Sequence, residues 1–410
     1  MAQYRPKISI AFVKGFKLIL VVIISIGQSY GNNIRNINSR HGLSNSAVTC
    51  LFQDSERYLW MGTYDGLNKY NGIDIKVYKP SINNTHSLSG NIVKSIIESK
   101  DGYLWVLTKS GLDRYSKKSD RVEAHFSDFG VNSLMAIDGD GTFYVMTQEG
   151  KLYWFDLEEE VFNEIRLPDT KQYKNCENFI IDSHNNIWIS NNGIIKKFAI
   201  GYSQNSKPLL TPMDDFRHDQ AISDTFYDAA EERVIFIDEK RDLYVVRPGG
   251  VEYIKNISSL IAQYGGITSI LYDGNDILIA FRVSGLIKLI HKNGYQVEKM
   301  LMNCGVFSLL IDKTQDIIWV GTDGHGVYAY INEEFVFNGI NFNELPINIQ
   351  RPVRAIYTDS NDDLWLGTKG NGIVRIEDYE KGIGADNRSN TEHITTAEGL
   401  SGNAVYAFEM

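Results

Sequence analysis

The chain has 410 residues, 43% of them hydrophobic and 12% aromatic, with 35 Gly against 8 Pro and a formal net charge of −10. That length exceeds what a single compact core accommodates, so it demands several domains or a repeat array. The acidic balance excludes nucleic acid and anionic lipid as partners, and the three cysteines, Cys50, Cys176 and Cys304, match no metal or redox spacing.

The start of the chain stands apart from the rest. Arg5, Lys7, Lys14 and Lys17 precede the apolar run 18–26, and no acid occurs before Asp54. A basic start, a short apolar run and the small residues Ser29 and Gly31 predict a signal peptide over residues 1–31, cleaved on export. The apolar run is about half of the roughly 20 residues a membrane-spanning helix needs. No Cys follows it until Cys50, so a lipid-attachment signal is missing. Loss of this segment removes four cations and no anions, leaving the remainder more acidic still.

Two phrases then recur in frame. Leu43-Ser44-Asn45-Ser46-Ala47-Val48 returns 45 residues later as Leu88-Ser89-Gly90-Asn91-Ile92-Val93, and again as Leu400-Ser401-Gly402-Asn403-Ala404-Val405. Behind it travels Leu59-Trp60-Met61-Gly62-Thr63, echoed at Leu104-Trp105, Ile318-Trp319-Val320-Gly321-Thr322 and Leu364-Trp365-Leu366-Gly367-Thr368. Self-similarity at this period means one supersecondary unit, each burying its apolar face against the next. In the first copy the pattern predicts strands at 48–52, 58–63, 67–70 and 75–78, separated by turns at 54–57 and 64–66. Short alternating runs joined by turns are antiparallel strands, and four per unit make a propeller blade.

The position of Trp60 is taken in later copies by Trp105, Tyr144, Trp188, Phe236, Ile279, Trp319 and Trp365, and Asp54, Asp138, Asp182 and Asp359 each lie six residues before their aromatic. The aromatic is expected on the second strand, filling the wedge between neighbouring blades. Gly62, Gly321 and Gly367 share its face two residues on, where a missing side chain lets the adjacent blade approach. Replacing one such Trp by Ala is expected to cost roughly 3–5 kcal/mol; Trp154, outside the repeat position, is expected to cost less.

The expected architecture is all-β, a seven-bladed propeller over residues 32–340. Residues 341–410 form the first blade and broken second blade of a further propeller. The alternative is one eight-bladed ring, closed by a strand at 34–37 joining copy eight. Fourth-strand candidates at 335–337 and 393–394 leave both closures open. Residues 399–410 repeat 42–53 with five of twelve identical, so the chain is expected to stop inside a first strand, as a piece of a longer protein.

The combination L-S-x-N-x-V, Asp, L-W-x-G-T and Gly66-Leu67-Asn68-Lys69-Tyr70 resembles the two-component regulator propeller repeat, across essentially all of residues 41–410. That resemblance implies the periplasmic sensor region of hybrid two-component histidine kinases of Bacteroidetes, which detect oligosaccharides. In such proteins two seven-bladed propellers stand in tandem. A β-sandwich, an inner-membrane helix, a kinase core and a DNA-binding regulator follow.

Signals for chemistry are weak. Asp138-Gly139-Asp140-Gly141-Thr142 has the alternating oxygens of a calcium loop but lacks the later acidic ligands, so it is expected to be a capped turn. His325 has no second His or Cys at metal spacing. No catalytic residue, cofactor or metal is expected. Ligand binding is expected on the face carrying the second-to-third-strand turns and the connections 79–91, 167–178 and 203–221, because function concentrates where loops vary over a rigid scaffold. Sugars need aromatic platforms and planar polar groups, which makes Tyr64, Lys109, His325, Arg351, Lys369 and Asn371 the candidates. The same face serves equally well to dock a second propeller or a homodimer mate. The leading function is oligosaccharide sensing upstream of a kinase; the rivals are a secreted carbohydrate-active propeller enzyme and a protein–protein scaffold.

Overall fold

The computed structural model describes residues 33–331 and 351–408, apart from 169, 192, 204–206, 214–215, 217, 230, 248–249, 293, 302, 362 and 378–390. The expected signal peptide and the candidate strand 335–337 lie outside the described residues. The chain divides into two compact units, 1–332 and 333–410. Among the described residues no helix is long and apolar enough to cross a membrane.

Among the described residues the first unit holds seven four-stranded antiparallel sheets. Sheet one is Val48–Gln53, Leu59–Thr63, Gly66–Tyr70 and Ile75–Tyr78, within one residue of the pattern in sequence. The first strands of the other six are Val93–Glu98, Leu134–Ile137, Asn178–Ile181, Ile222–Asp228, Ile267–Asp273 and Val306–Asp312. Each first strand neighbours the first strands on either side, and that of sheet seven neighbours that of sheet one. Sheet seven draws its outer strand from the other end of the unit: Asn33–Ile37 pairs antiparallel with Val327–Ile331. Residues 34–37 therefore pair with copy seven, not with copy eight.

Hydrogen bonds explain why the two recurring phrases travel together. The Ser44 and Thr63 hydroxyls lie 2.9 Å apart, and those of Ser89 and Thr108 2.8 Å apart. The Thr hydroxyl then closes the following hairpin by donating to the Gly66 carbonyl at 2.9 Å, as Thr108 does to Gly111 at 3.0 Å and Thr322 to Gly326 at 2.6 Å. The same glycines tie one sheet to the next. Gly66 N donates to Asn91 O and Gly326 N to Ser46 O, both at 2.7 Å. The phrases are two halves of one buried polar joint, and a shift of either would leave its partner unsatisfied.

Apolar clusters alternate with these joints. Trp60 is fully buried and packs on Leu104 and Val106 of sheet two. Trp105 stacks on Phe143 of sheet three, ring centroids 4.3 Å apart. A Cβ on Gly62 would meet Val93 Cγ1 of sheet two at 2.7 Å, and one on Gly321 would meet Val48 Cγ1 of sheet one at 3.1 Å, so these glycines do permit close approach.

Copies five and six depart from the alignment. Phe236 packs back against Trp188 of sheet four, and Ile279 packs back against Ile235 and Ile237 of sheet five. The residues facing forward at the Trp60 position are Ile235 and Leu278. A one-residue slip in a strand exchanges its faces, and neither copy carries at that position the Trp or Tyr that marks the register in the other five sheets. Trp154 lies on a third strand, Leu152–Asp156, yet is 8% exposed inside the cluster between sheets three and four. That burial removes the reason to expect a smaller cost there.

One connection differs from expectation, and another carries a helix. The stretch 203–221 contains Pro208–Met213, the fourth strand of sheet four. The connection between sheets five and six forms a short helix, Ser258–Tyr264, that buries Leu260 and Tyr264.

The described residues of the second unit form one sheet, Val353–Thr358, Leu364–Thr368, Ile373–Ile376 and Thr391–Ile394, so the candidate 393–394 falls on its fourth strand. The last repeat of the first phrase docks on it. Gly372 N donates to Asn403 O and Val405 N to Thr368 O, both at 2.9 Å, and a Cβ on Gly367 would meet Val405 Cγ1 at 2.8 Å.

Candidate ligand-binding site

The first strands of five of the seven sheets carry a β-bulge one residue after they begin, at Thr49, Lys94, Ser223, Thr268 and Phe307. A bulge leaves one residue out of the ladder and re-aims its side chain. Two of these residues reach across to the next sheet: Thr49 Oγ1 donates to Val93 O at 2.5 Å and Thr268 Oγ1 to Val306 O at 2.6 Å. Thr49, Lys94, Thr268 and Phe307 line a cavity of about 420 Å³ inside the ring of first strands. That volume is within the range of small-molecule sites, about 300–1,000 Å³.

Turn residues complete the wall. The residue after the hairpin Thr, or its equivalent, donates its N–H to the carbonyl at the entrance of its own first strand. Tyr64 bonds Ala47 O at 3.3 Å, Lys109 bonds Ile92 O at 2.8 Å and Arg282 bonds Gly266 O at 2.8 Å. This bond holds the turn over the mouth of the ring. Tyr64, 41% exposed, and Arg282 both line the cavity. Lys94 and Arg282 make no ion pair among the described residues. The neighbouring Asp224 is already engaged, by the Ser223 hydroxyl at 2.9 Å and Arg241 at 3.8 Å.

Of the six candidates, the structure brings only Tyr64 to this cavity. Lys109 holds the equivalent turn position in sheet two and is exposed outside it. His325 is exposed two residues beyond that position; its carbonyl accepts from Asn36 Nδ2 at 2.9 Å and its N–H donates to Thr322 Oγ1 at 3.1 Å. Arg351, Lys369 and Asn371 belong to the second unit. There Lys369 N bonds Pro352 O at 3.0 Å, repeating the turn anchor. Asn371 bonds through its own backbone, its N–H donating to Thr368 Oγ1 at 2.8 Å and its main-chain carbonyl accepting from His393 Nε2 at 2.6 Å, while its side-chain Oδ1 is buried without a partner among the described residues. Sequence reasoning missed Lys94 and Arg282. Arg282 was findable: it follows the Ala280-Phe281 that replaces Gly-Thr in copy six, at the position Tyr64 and Lys109 occupy.

Other groups offer little chemistry. Burial pushes the Cys50 and Cys176 thiols up to about 12 and raises that of Cys304; all three are free and poor nucleophiles. Asp138 caps its own turn, Oδ1 accepting from Asp140 N at 3.0 Å and Thr142 N at 2.9 Å. Among the described residues no cluster of three or more His, Cys, Asp or Glu is placed to hold a metal.

Comparison with known proteins gives three findings. The two-component regulator propeller model matches residues 42–65, 87–110 and 349–370. Among solved structures, the extracellular domain assigned to the hybrid two component system BT3049 of B. thetaiotaomicron superposes with a TM-score of 0.56 at 18% identity. It covers 92% of this chain and 50% of its own. The corresponding domain of BT4673 from the same organism gives 0.55 at 20% identity, covering 92% of this chain and 49% of its own. Streptogramin B lyase gives 0.51 at 12% identity, covering 72% of this chain and 96% of its own. At these identities the likeness is one of fold, and the chain spans about half the length of the two extracellular domains. No curated protein matches it.

Proposed function

We propose that this chain is the ligand-sensing propeller region of a hybrid two-component sensor, exported to the periplasm and non-catalytic. It detects an oligosaccharide, and kinase domains carried elsewhere in the full-length protein relay the signal to polysaccharide-utilisation genes. The observation that carries this reading is the in-frame pair of phrases matched by the two-component regulator propeller model, folded around a cavity with an aromatic and several polar side chains at its mouth. Such a cavity suits recognition of a polyhydroxylated ligand, which needs both platforms and hydrogen-bonding groups. In the same reading residues 32–340 form a seven-bladed ring, and 341–410 open a further propeller. The test is calorimetry of the purified protein against a panel of plant and host oligosaccharides, repeated on Tyr64→Ala. A saccharide that binds the parent and loses affinity in the variant supports the reading; no binding by any saccharide overturns it.

A further inference from the structure

Lys94 and Arg282 come from sheets two and six, far apart in sequence, and line the same cavity. Lys94 sits on a bulge, the one place in a strand where a side chain leaves the ladder's alternation. Arg282 sits on a turn held by its own N–H. Elsewhere in this unit several cations are held by acids. Lys117 bonds Glu98 at 2.6 Å, Arg114 bonds Glu160 at 2.8 Å, Arg57 bonds Asp312 at 2.7 Å and Lys288 bonds Asp273 at 2.7 Å. Lys94 and Arg282 are not so held among the described residues, in a chain with ten more acidic than basic residues. The one acid on the cavity wall, Asp224, is turned to Ser223 and Arg241. The cavity wall therefore carries two cations to one acid on an otherwise acidic protein, with Tyr64 and Phe307 as aromatic walls beside the charges; the turn residues equivalent to Arg282 in sheets five and seven, Glu239 and Asp323, are acids that stand outside that wall.

Resting on the sensing function proposed above, we propose that this cavity selects an anionic saccharide. Lys94 and Arg282 hold a carboxylate or sulfate while Tyr64 or Phe307 packs on the sugar ring. Guanidinium and ammonium groups bind such oxyanions by charge-assisted hydrogen bonds, about twice as strong as neutral ones. The acidic remainder of the surface repels the same ligand, which confines it to the mouth.

The experiment titrates the whole chain with matched saccharides: oligogalacturonates against their methyl esters, and sulfated glycosaminoglycan disaccharides against the desulfated forms. The uronate and sulfate arms separate the two sources of charge, and inorganic sulfate alone is the control. The expected result is that at least one charged member binds about tenfold or more tighter than its neutral partner. Lys94→Ala and Arg282→Ala should each abolish that preference, Lys109→Ala should keep it, and added salt should erode it. Circular dichroism of each variant excludes misfolding. Equal affinity for charged and neutral partners overturns charge selection while leaving oligosaccharide sensing intact. Sulfate binding as tightly as the sulfated sugars overturns saccharide recognition at this cavity. A preference retained in both alanine variants moves the anion site elsewhere and overturns the assignment. Silence from every saccharide overturns the sensing function and this inference together.

Discussion

The indole N–H of Trp60 donates to Oδ2 of Asp54 at 2.8 Å, while Oδ1 of the same carboxylate accepts from the backbone N–H groups of Glu56 at 3.0 Å and Tyr58 at 2.9 Å. One side chain thus closes the turn between first and second strands and anchors the aromatic that fills the wedge. Trp188 with Asp182 at 2.7 Å and Trp365 with Asp359 at 2.8 Å repeat the device. Tyr144 uses its hydroxyl on Asp138 at 2.9 Å, and Trp105 uses Ser99 at 3.1 Å. Trp319 breaks the series: its indole nitrogen is buried without a partner. The acid of its turn, Asp312, stands one residue further back and is given to sheet one, accepting from Gln53 at 2.8 Å and from Arg57 at 2.7 and 2.9 Å.

Trp60→Phe and Trp319→Phe remove similar volume, but only the first strands a buried acceptor, Asp54 being 3% exposed. Trp60→Phe is expected to cost more than Trp319→Phe by about 1–3 kcal/mol, the penalty of an unsatisfied buried group. Urea melts of both variants measure the difference, and equal losses would show that the Asp–indole bond carries no net stability.

Gly62→Ala and Gly321→Ala push a methyl into the neighbouring sheet and are expected to destabilise by about 1–3 kcal/mol each, as overpacking does. Gly130→Ala is the control, because a Cβ there meets nothing within 4 Å. Thermal denaturation of the three variants should rank Gly130→Ala far closest to the parent.

Lys117 is 7% exposed and joins the turn of sheet one to sheet two, meeting Glu98 at 2.6 Å, Glu56 at 3.3 Å and Ser55 Oγ at 3.0 Å. Burial works to raise the Glu98 carboxyl, and the hydrogen bonds from Lys117 and Ser55 outweigh it, holding it below the usual carboxylate range. Lys117→Met strands that charge, and the expected loss is about 3 kcal/mol. Adding Glu98→Gln should recover part of it, so a double variant no better than Lys117→Met would remove Glu98 from the account.

Acid should act through Asp120. Burial tends to raise its carboxyl, but hydrogen bonds from Lys76, Tyr115 and Tyr78 win and hold it at about 2. A depressed carboxyl stabilises the fold above its unfolded value, near 3.9. That contribution is lost as pH falls from there toward about 2. Asp120→Asn should therefore show a flatter loss of stability over this window than the parent, read from denaturant midpoints at successive pH values.

What the sequence determined by itself was the unit: a four-stranded sheet with its Trp, Gly and Thr, because each phrase records a contact that recurs wherever two sheets meet. Sheet one was legible to within one residue, and Tyr64 to its turn. Where the phrase decays the reading slipped. Phe236 and Ile279 take the Trp60 position in the alignment but face backward in the structure, since alternation alone does not say which of two buried faces points forward. Tertiary structure alone decided that Asn33–Ile37 pairs with Val327–Ile331, that Asp312 serves Arg57 rather than Trp319, and that Lys94 and Arg282 share one cavity. Each joins residues far apart in the chain, set by how the first strands close around an axis. Local patterning encodes what a sheet buries against its neighbour; it does not encode which residues the closed ring brings together at its centre.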